Sequence, residues 1–464
     1  MKWLARLTYP VMLVLAVLAY LEIRAWGETL RAPPRVNAEE VVLPPVAAAS
    51  STLAHLLLAL FVVVVCSRAC SVILRLLRQP PVVAEVVAGV MLGPSLFGHL
   101  APGPYSFLFS PSALRHLGAV SDLGVVLFMF LVGLELDTSL LRRRSDATLV
   151  ISHTSIVFPF LLGSGLSLWL YPKLSTEDVG FTPFALFMGV SMSITAFPVL
   201  ARILSESGLR KSQLGTLALA CAAIDDATGW CLLAAVVGFV RASQSSLLQT
   251  IALTFLYVTV MLALVKPLVA RLARHLELKG KVSSDAIALS LIGLTLSALL
   301  TESIGIHALF GGFLAGAVVP SDSLLARELT DKMHDIVTIL FLPAFFALAG
   351  VRTDLGLLGS LDWPVCGVIL VVACAGKFGG STLAGRFTGL SWRESASLGV
   401  LMNTRGLMEL VVLNVGLELG VIGPRLFTML VLMAILTTVA TAPLLQFLNR
   451  RTGLAHGLAL ARPS

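Results

Sequence analysis

Stretches of about 20 apolar residues, each closed by charges or by a Pro/Gly-rich break, recur from one end of this chain to the other. That repetition leaves little choice of fold. A run of this length crosses the hydrocarbon core of a bilayer as one helix, because backbone groups in lipid must bond within their own segment. The runs begin near Leu4, Leu53, Val82, Leu117, Ala147, Phe181, Gln213, Leu248, Asp285, Ile304, Val337, Leu361, Ala396 and Leu426. Composition agrees: 57% of the 464 residues are hydrophobic and only 13% charged, and the mean hydropathy is +0.93, outside the range of a soluble domain. The expected fold class is an all-α polytopic membrane protein.

The net charge of +7 does not gather into a nucleic-acid-binding patch; it alternates from loop to loop as a topology signal. With Lys2 and Arg6 in the cytoplasm, every second loop is basic: Arg75 and Arg78; Arg142, Arg143 and Arg144; Arg210 and Lys211; Arg271, Arg274, Lys279 and Lys281; Arg327 and Lys332; Arg386 and Arg393; Arg450 and Arg451. The opposite loops hold few, such as Lys173, Arg241, Arg352 and Arg425. The expectation is a multi-pass protein of a bacterial inner membrane with a cytoplasmic C-terminus and lipid as its immediate partner. The six cysteines (Cys66, Cys70, Cys221, Cys231, Cys366 and Cys374) all fall within expected spans, where they read as small packing residues.

Three regions follow. Residues 1–51 hold a hydrophobic segment, either a signal peptide or an extra helix, and a Pro-rich linker. Residues 52–449 hold thirteen spans, and 450–464 form a short cytoplasmic tail, too short for a built-in nucleotide-binding domain.

Two pairs of segments echo each other across the thirteen spans. FMFLVGLELDTSLL in the third matches FFALAGVRTDLGLL in the tenth, aligning Gly133 with Gly350 and Asp137 with Asp354; VVAGVMLGPS in the second resembles FGGFLAGAVVPS in the ninth. Both echoes lie seven spans apart, and an odd offset places the copies in opposite orientations. Two inverted six-helix repeats with a connecting seventh span are the architecture of secondary transporters, whose sites lie at mid-membrane between interrupted helices. The fifth span, SMSITAFPVLARIL, carries Pro198, which removes a backbone hydrogen bond, and hydroxyls such as Ser193 beside it. The twelfth, LMNTRGLMELVVLN, carries Asn403, Arg405, Gly406 and Glu409. These are the expected crossed broken helices, whose exposed carbonyls coordinate cations and whose half-helix dipoles call for compensating charge. Arg405 and Glu409, four apart, share one face and read first as an ion pair.

Beside the crossing lie the costliest residues of all. AAIDDATGW, Ala222 to Trp230, puts Asp225 and Asp226 in the sixth span, and VVACAGKFGGSTLAG puts Lys377 in the eleventh. Ionised groups at this depth are functional by default. Neighbours on a helix point about 100° apart, so the two aspartates take different roles: one faces a partner charge, for which Lys377 is the candidate, and the other a cavity. A carboxylate in a partly dehydrated cavity lets proton and cation compete for the same oxygens. Carboxylate, hydroxyl and carbonyl oxygens suit Na+ or K+, and no His/Cys cluster suits a transition metal. Absence of a P-loop, a nucleophile elbow and H-E-x-x-H argues against an enzyme, and no cofactor beyond the transported ions is expected. A gated cation channel that needs a partner and a non-transporting membrane sensor are the competing readings.

RQPPVVAEVVAGVMLGPSLFG, LFMFLVGLELD, SMSITAFPVLARIL, AAIDDATGWCLLA and NTRGLMELVVLNVG, in this order, resemble the monovalent cation:proton antiporters of the Kef and plant cation/H+ exchanger type. The resemblance implies a thirteen-helix core, a homodimer, and a core domain that moves like an elevator against a dimerisation domain. It implies that Asp226 carries cation and proton, that Asp225 pairs with Lys377, and that Thr195 with neighbouring carbonyls lines the site. By the same resemblance an Asp-Asp pair with a Lys goes with electrogenic exchange.

Overall fold

The computed structural model describes residues 2–34, 52–76, 79, 81–135, 146–207, 209, 212–241 and 247–450. Asp137, Arg78, the Arg142–Arg144 loop, Arg210, Lys211, most of the 1–51 linker and the tail from Arg451 onward lie outside the described residues.

Among the described residues the regular structure is all helical. An N-terminal helix α1 (Lys2–Gly27) precedes α2 (Thr52–Leu76), α3 (Pro81–Leu92), a short α4 (Pro102–Leu108), α5 (Pro111–Glu135) and α6 (Asp146–Leu174). One pass is split into α7 (Phe181–Ser193) and α8 (Phe197–Glu206), followed by α9 (Gln213–Arg241). The next pass joins α10 (Leu247–Val260) to α11 (Lys266–Lys279), and α12 (Ser284–Ile304) and α13 (Ala308–Ala317) follow. Then α14 (Leu324–Ile336) continues into α15 (Leu342–Val351), and α16 (Asp362–Cys374) into α17 (Gly380–Phe387). A second split pass, α18 (Trp392–Met402) and α19 (Leu407–Glu418), precedes α20 (Pro424–Arg450). Among the described residues eleven helices are long and apolar enough to cross a membrane. With each split helix taken as one pass, α1 and thirteen further passes result.

Most passes begin near the expected residues, and the departures have local causes. The tenth starts at Leu324 rather than near Val337, because the charged stretch before Val337 is an amphipathic helix: Ser323 caps it by accepting from Ala326 N, and Leu325, Leu329 and Met333 are buried. The twelfth starts at Trp392 rather than near Ala396, where Ser391 and Glu394 form a reciprocal capping box. Gly305, at φ 97°, ends α12 in the left-handed region, so the ninth pass begins at Ala308 and not at Ile304. Glu302, beside this break, accepts from Ala308 N at 2.9 Å.

The thirteen passes sort into two bundles. The first comprises α2, α3, α5 and α12 to α15; the second comprises α6 to α9 and α16 to α20; α10 and α11 connect them. Packing inside the first bundle depends on glycine. A methyl group added at Gly133 of α5 would overlap Phe313 O and crowd Ala317 N and Gly316 of α13; one added at Gly350 of α15 would overlap Val86 O and crowd Val90 N and Gly89 of α3. Between the bundles the main contacts are α15 with α19 and α3 with α20. Helix α1 lies on the second bundle against α6 and α7: Thr154 Oγ1 reaches Met12 Sδ at 3.4 Å, Gly27 meets the Phe181 ring, and Thr182 donates to Glu28 at 3.0 Å.

Candidate functional site

Both broken passes lose their helical bonds at the same depth and repair them on each other. Helix α7 ends at Ser193, and Ile194 is extended (φ −79°, ψ 138°); α18 ends at Met402, and α19 resumes only at Leu407. Ala196 N donates to Thr404 O at 3.0 Å, a backbone tie between two segments more than 200 positions apart. Thr195 Oγ1 lies 3.1 Å from Met402 O. Pro198 occupies the first turn of α8, where its missing N–H costs no bond. Gly406 is a packing requirement: a methyl group there would lie 2.7 Å from Val199 Cγ2.

Asp225, fully buried on α9, is saturated. Its Oδ1 accepts from Ser152 Oγ at 2.6 Å, and its Oδ2 accepts from Ser155 Oγ at 2.7 Å and from Lys377 Nζ at 3.1 Å. The Thr195 hydroxyl lies 2.9 Å from the same Oδ2 and has one proton to give, to Asp225 or to Met402 O. Lys377, also fully buried, uses all three of its donors: Thr195 Oγ1 at 2.6 Å, Ser155 Oγ at 3.1 Å and Asp225. A buried charge pair persists only when its remaining lone pairs and protons are satisfied in this way.

Asp226 contrasts with its neighbour. It is 5% exposed; its Oδ1 accepts a long 3.4 Å bond from Phe197 N, at the start of α8, and its Oδ2 is buried without a partner. The positive end of the α8 dipole and an unfilled oxygen thus meet at one carboxylate. Asn403 Oδ1 is a second buried oxygen without a partner, while its Nδ2 lies 3.6 Å from Cys374 Sγ.

At the opposite half-helix end, Arg405 caps α7. Its guanidinium donates to Ser191 O and Met192 O, each at 2.8 Å, and to Glu409 Oε2 at 2.8 Å. These are the carbonyls that α7 leaves open where it stops. Ser193, expected near the cation, instead donates back to Gly189 O at 2.6 Å. The structure therefore brings Asp225, Asp226, Thr195, Lys377, Arg405, Glu409 and the extended 194–196 segment together, with the Ser193 proton committed to Gly189 O.

Three participants escaped sequence reasoning. Ser152 and Ser155, three apart on one face of α6, hold Asp225. Thr438 of α20 accepts from Arg405 N at 3.2 Å and lies 2.7 Å from Arg405 O. No local signal set these serines apart, in a span that carries no membrane-depth charge to draw notice. Among the described residues no cluster of His, Cys, Asp and Glu suits a resident metal ion.

At the ends of α2, α3 and α5 the first bundle forms a cavity of about 380 Å³, its wall including Arg75, Glu85, Glu135 and Phe346. On the second bundle it reaches Val199, two residues beyond the Phe197 amide that bonds Asp226.

Comparison with known proteins is consistent with this geometry. Residues 57–447 match the family model described as sodium/hydrogen exchanger, transmembrane. The chain is 44% identical over 381 residues to the Na+/H+ antiporter NhaS4 of Synechocystis sp., covering 82% of this chain and 93% of that protein. It is 38% identical to cation/H+ antiporter 17 of Arabidopsis thaliana, covering 82% of this chain and 46% of the plant protein. It is also 38% identical to K+/H+ antiporter 1 of Saccharomyces cerevisiae, covering 80% of this chain and 44% of the yeast protein. The chain thus spans less than half the length of these plant and yeast relatives. The solved structure of the sodium proton antiporter MjNhaP1 from Methanocaldococcus jannaschii shares the fold, with a TM-score of 0.63 at 16% identity over 85% of this chain and 97% of that one.

Proposed function

The chain belongs to the transmembrane sodium/hydrogen exchanger family, a family of transporters rather than enzymes, and from that premise we propose that it exchanges a monovalent cation, Na+ or K+, for protons by alternating access, with Asp226 carrying each in turn. The observation that carries the assignment is the asymmetry of the pair: both Asp225 oxygens are taken, whereas Asp226 Oδ2 is buried and unfilled.

Charge counting supports it. The buried ionisable groups at the crossing are three carboxylates (Asp225, Asp226, Glu409) and two cations (Lys377, Arg405). Fully ionised they sum to 2 − 3 = −1. One monovalent cation or one proton on Asp226 neutralises the set, and an empty carrier leaves a net charge in a medium that opposes it. Crossing while empty is therefore the disfavoured step, and that bias couples cation movement to proton movement. Arg405 holds the α7 end in place, and Lys377 with the three hydroxyls fixes Asp225 so that it does not compete for the cargo.

The two bundles are the proposed moving parts: the second carries the site, and the first is the scaffold and the proposed homodimer contact. In support of an inverted repeat, Gly133 meets residues three before and one after Gly316, and Gly350 meets residues three before and one after Gly89. Exchanging the repeats turns one contact into the other. The basic-loop pattern supports a cytoplasmic side for the cavity, and for the C-terminus with it.

The test is a proteoliposome assay with a trapped pH dye and imposed cation gradients, on the parent, Asp226→Asn and Asp225→Asn. Cation-driven proton movement in the parent and its loss in Asp226→Asn are expected. Survival of that movement in Asp226→Asn sinks the assignment, and cation flux without proton movement in the parent favours a channel.

A further inference from the structure

At the end of the molecule opposite the cavity, a single arginine fastens the two bundles together. Arg352 follows the last residue of α15, in the first bundle, and its Nη1 donates to Asn414 Oδ1 at 2.8 Å and to Glu418 Oε1 at 3.0 Å on α19, in the second. Nearby, Asp354 N donates to Thr428 Oγ1 of α20 at 3.2 Å. The same interface is thus polar-fastened at one end, while at the other Val199 of the second bundle borders the 380 Å³ cavity. We propose that Arg352 is the latch of the outer gate, holding the carrier in its cavity-open state, and that its transfer from Asn414 and Glu418 to Asp122 accompanies the opening of the outer side. This rests on the alternating-access reading above.

The structure shows Arg352 in one position of the switch, with the acceptor for the other on its own bundle. Asn414 and Glu418 are four apart on α19 and present one face to Arg352. Asp122, on α5 of the arginine's own bundle, lies within electrostatic reach of Arg352 and Glu418. Gly118, one turn before Asp122, shows how near this part of α5 lies to the arginine: an added methyl group would sit 4.0 Å from Arg352 Nη2, an ordinary contact. The other charge facing this cluster, Glu302 of α12, already accepts from Ala308 N. Released from α19, the guanidinium therefore has a carboxylate to meet on its own side. The strength of the latch also suits its task. With Arg352 at 31% and Glu418 at 40% exposure, the pair is solvent-screened, strong enough to bias the cycle and weak enough to let it turn.

Position matters as much as strength. Helix α19 begins at the crossing, where Arg405 and Glu409 pair, and ends at Glu418. Twelve residues of helix therefore join the latch to the site. In the repeat echo that aligns Gly133 with Gly350, Arg352 corresponds to Glu135, which lines the cavity mouth. The two mouths are thus marked by opposite charges at equivalent places.

The experiment places one cysteine on the cavity wall, Val132→Cys, in a background whose native cysteines are replaced by alanine and which still transports. Labelling by a membrane-impermeant maleimide from the cavity side reads the cavity-open population. Arg352→Gln and Glu418→Gln are expected to slow labelling about three- to tenfold. Asp122→Asn, which removes the alternative acceptor, is expected to leave it as fast or faster. The exchanged pair Arg352→Glu with Glu418→Arg is expected to return the rate to within about twofold of the parent. Unchanged labelling in both Arg352→Gln and Glu418→Gln, or slowing in Asp122→Asn, overturns the latch. A parent whose labelling ignores the transported cation overturns alternating access itself; a parent that responds, with latch variants that match it, overturns only the latch.

Discussion

Lys377→Met isolates what the buried charge set is worth. In the parent, Lys377 donates to Asp225, Ser155 and Thr195 with no solvent contact. Methionine keeps the length and removes the charge, so the sum at the crossing goes from −1 to −2 and Asp225 loses its cationic partner. Breaking a buried pair from one side costs about 3–5 kcal/mol. The midpoint shift per kcal/mol shrinks with chain length, so for a protein of 464 residues this corresponds to a fall of about 3–10 °C in the midpoint of thermal unfolding in detergent. Adding Asp225→Asn to Lys377→Met restores the sum to −1. The double variant is then expected to lose less than the two single variants together, by a coupling of about 1–3 kcal/mol. Midpoints from intrinsic fluorescence or size-exclusion survival, on all four proteins, close the cycle. Additive losses would show that Lys377 and Asp225 do not act as a unit, and a Lys377→Met protein as stable as the parent would refute the whole electrostatic account.

Other expectations bear on the same frame. Ser152→Ala and Ser155→Ala each remove a hydroxyl donor to a buried carboxylate and are expected to cost about 1.5–3 kcal/mol, read as a lower unfolding midpoint; no change in either would mean that Asp225 is held by Lys377 alone. If one proton and one cation compete for Asp226, the pH of half-maximal exchange should move by about one unit for every tenfold change in cation concentration, and a fixed half-maximal pH would rule out a shared carboxylate. Gly133→Ala and Gly350→Ala, whose methyl groups would overlap the backbone of the facing helix, are expected to destabilise by at least about 1–3 kcal/mol. Gly293→Ala, with nothing within 4 Å of the added methyl, is the control and should be neutral or mildly stabilising.

The parts of this architecture legible in sequence are those where membrane physics forbids a cheap alternative. An aspartate pair, a lysine or an arginine inside an apolar run has to be explained, so Asp225, Asp226, Lys377, Arg405 and Glu409 announce themselves. Proline and glycine likewise mark Pro198 and Gly406 as interruptions. Hydroxyls announce nothing, because a serine or threonine in a helix can satisfy itself on the carbonyl one turn back. Ser193 does this with Gly189 O, while Ser155 holds the Asp225 carboxylate, and no local pattern separates the two cases. Thr438, in the last pass, was out of reach for the same reason: its partner is the backbone of residue 405, 33 positions away. Helix starts went astray where capping serines lie ahead of charged amphipathic turns, as at Ser323 and Ser391.

The backbone tie between Ala196 and Thr404 has a mechanical meaning. In the proposed cycle the two half-helices stay fastened at their free ends and do not part to let an ion slip between them. On that reading the ion is carried with its holder, and the length it travels equals the displacement of the second bundle. A ruler fixed to that bundle and read against the first, such as a pair of spin labels, would therefore measure the ion's own path.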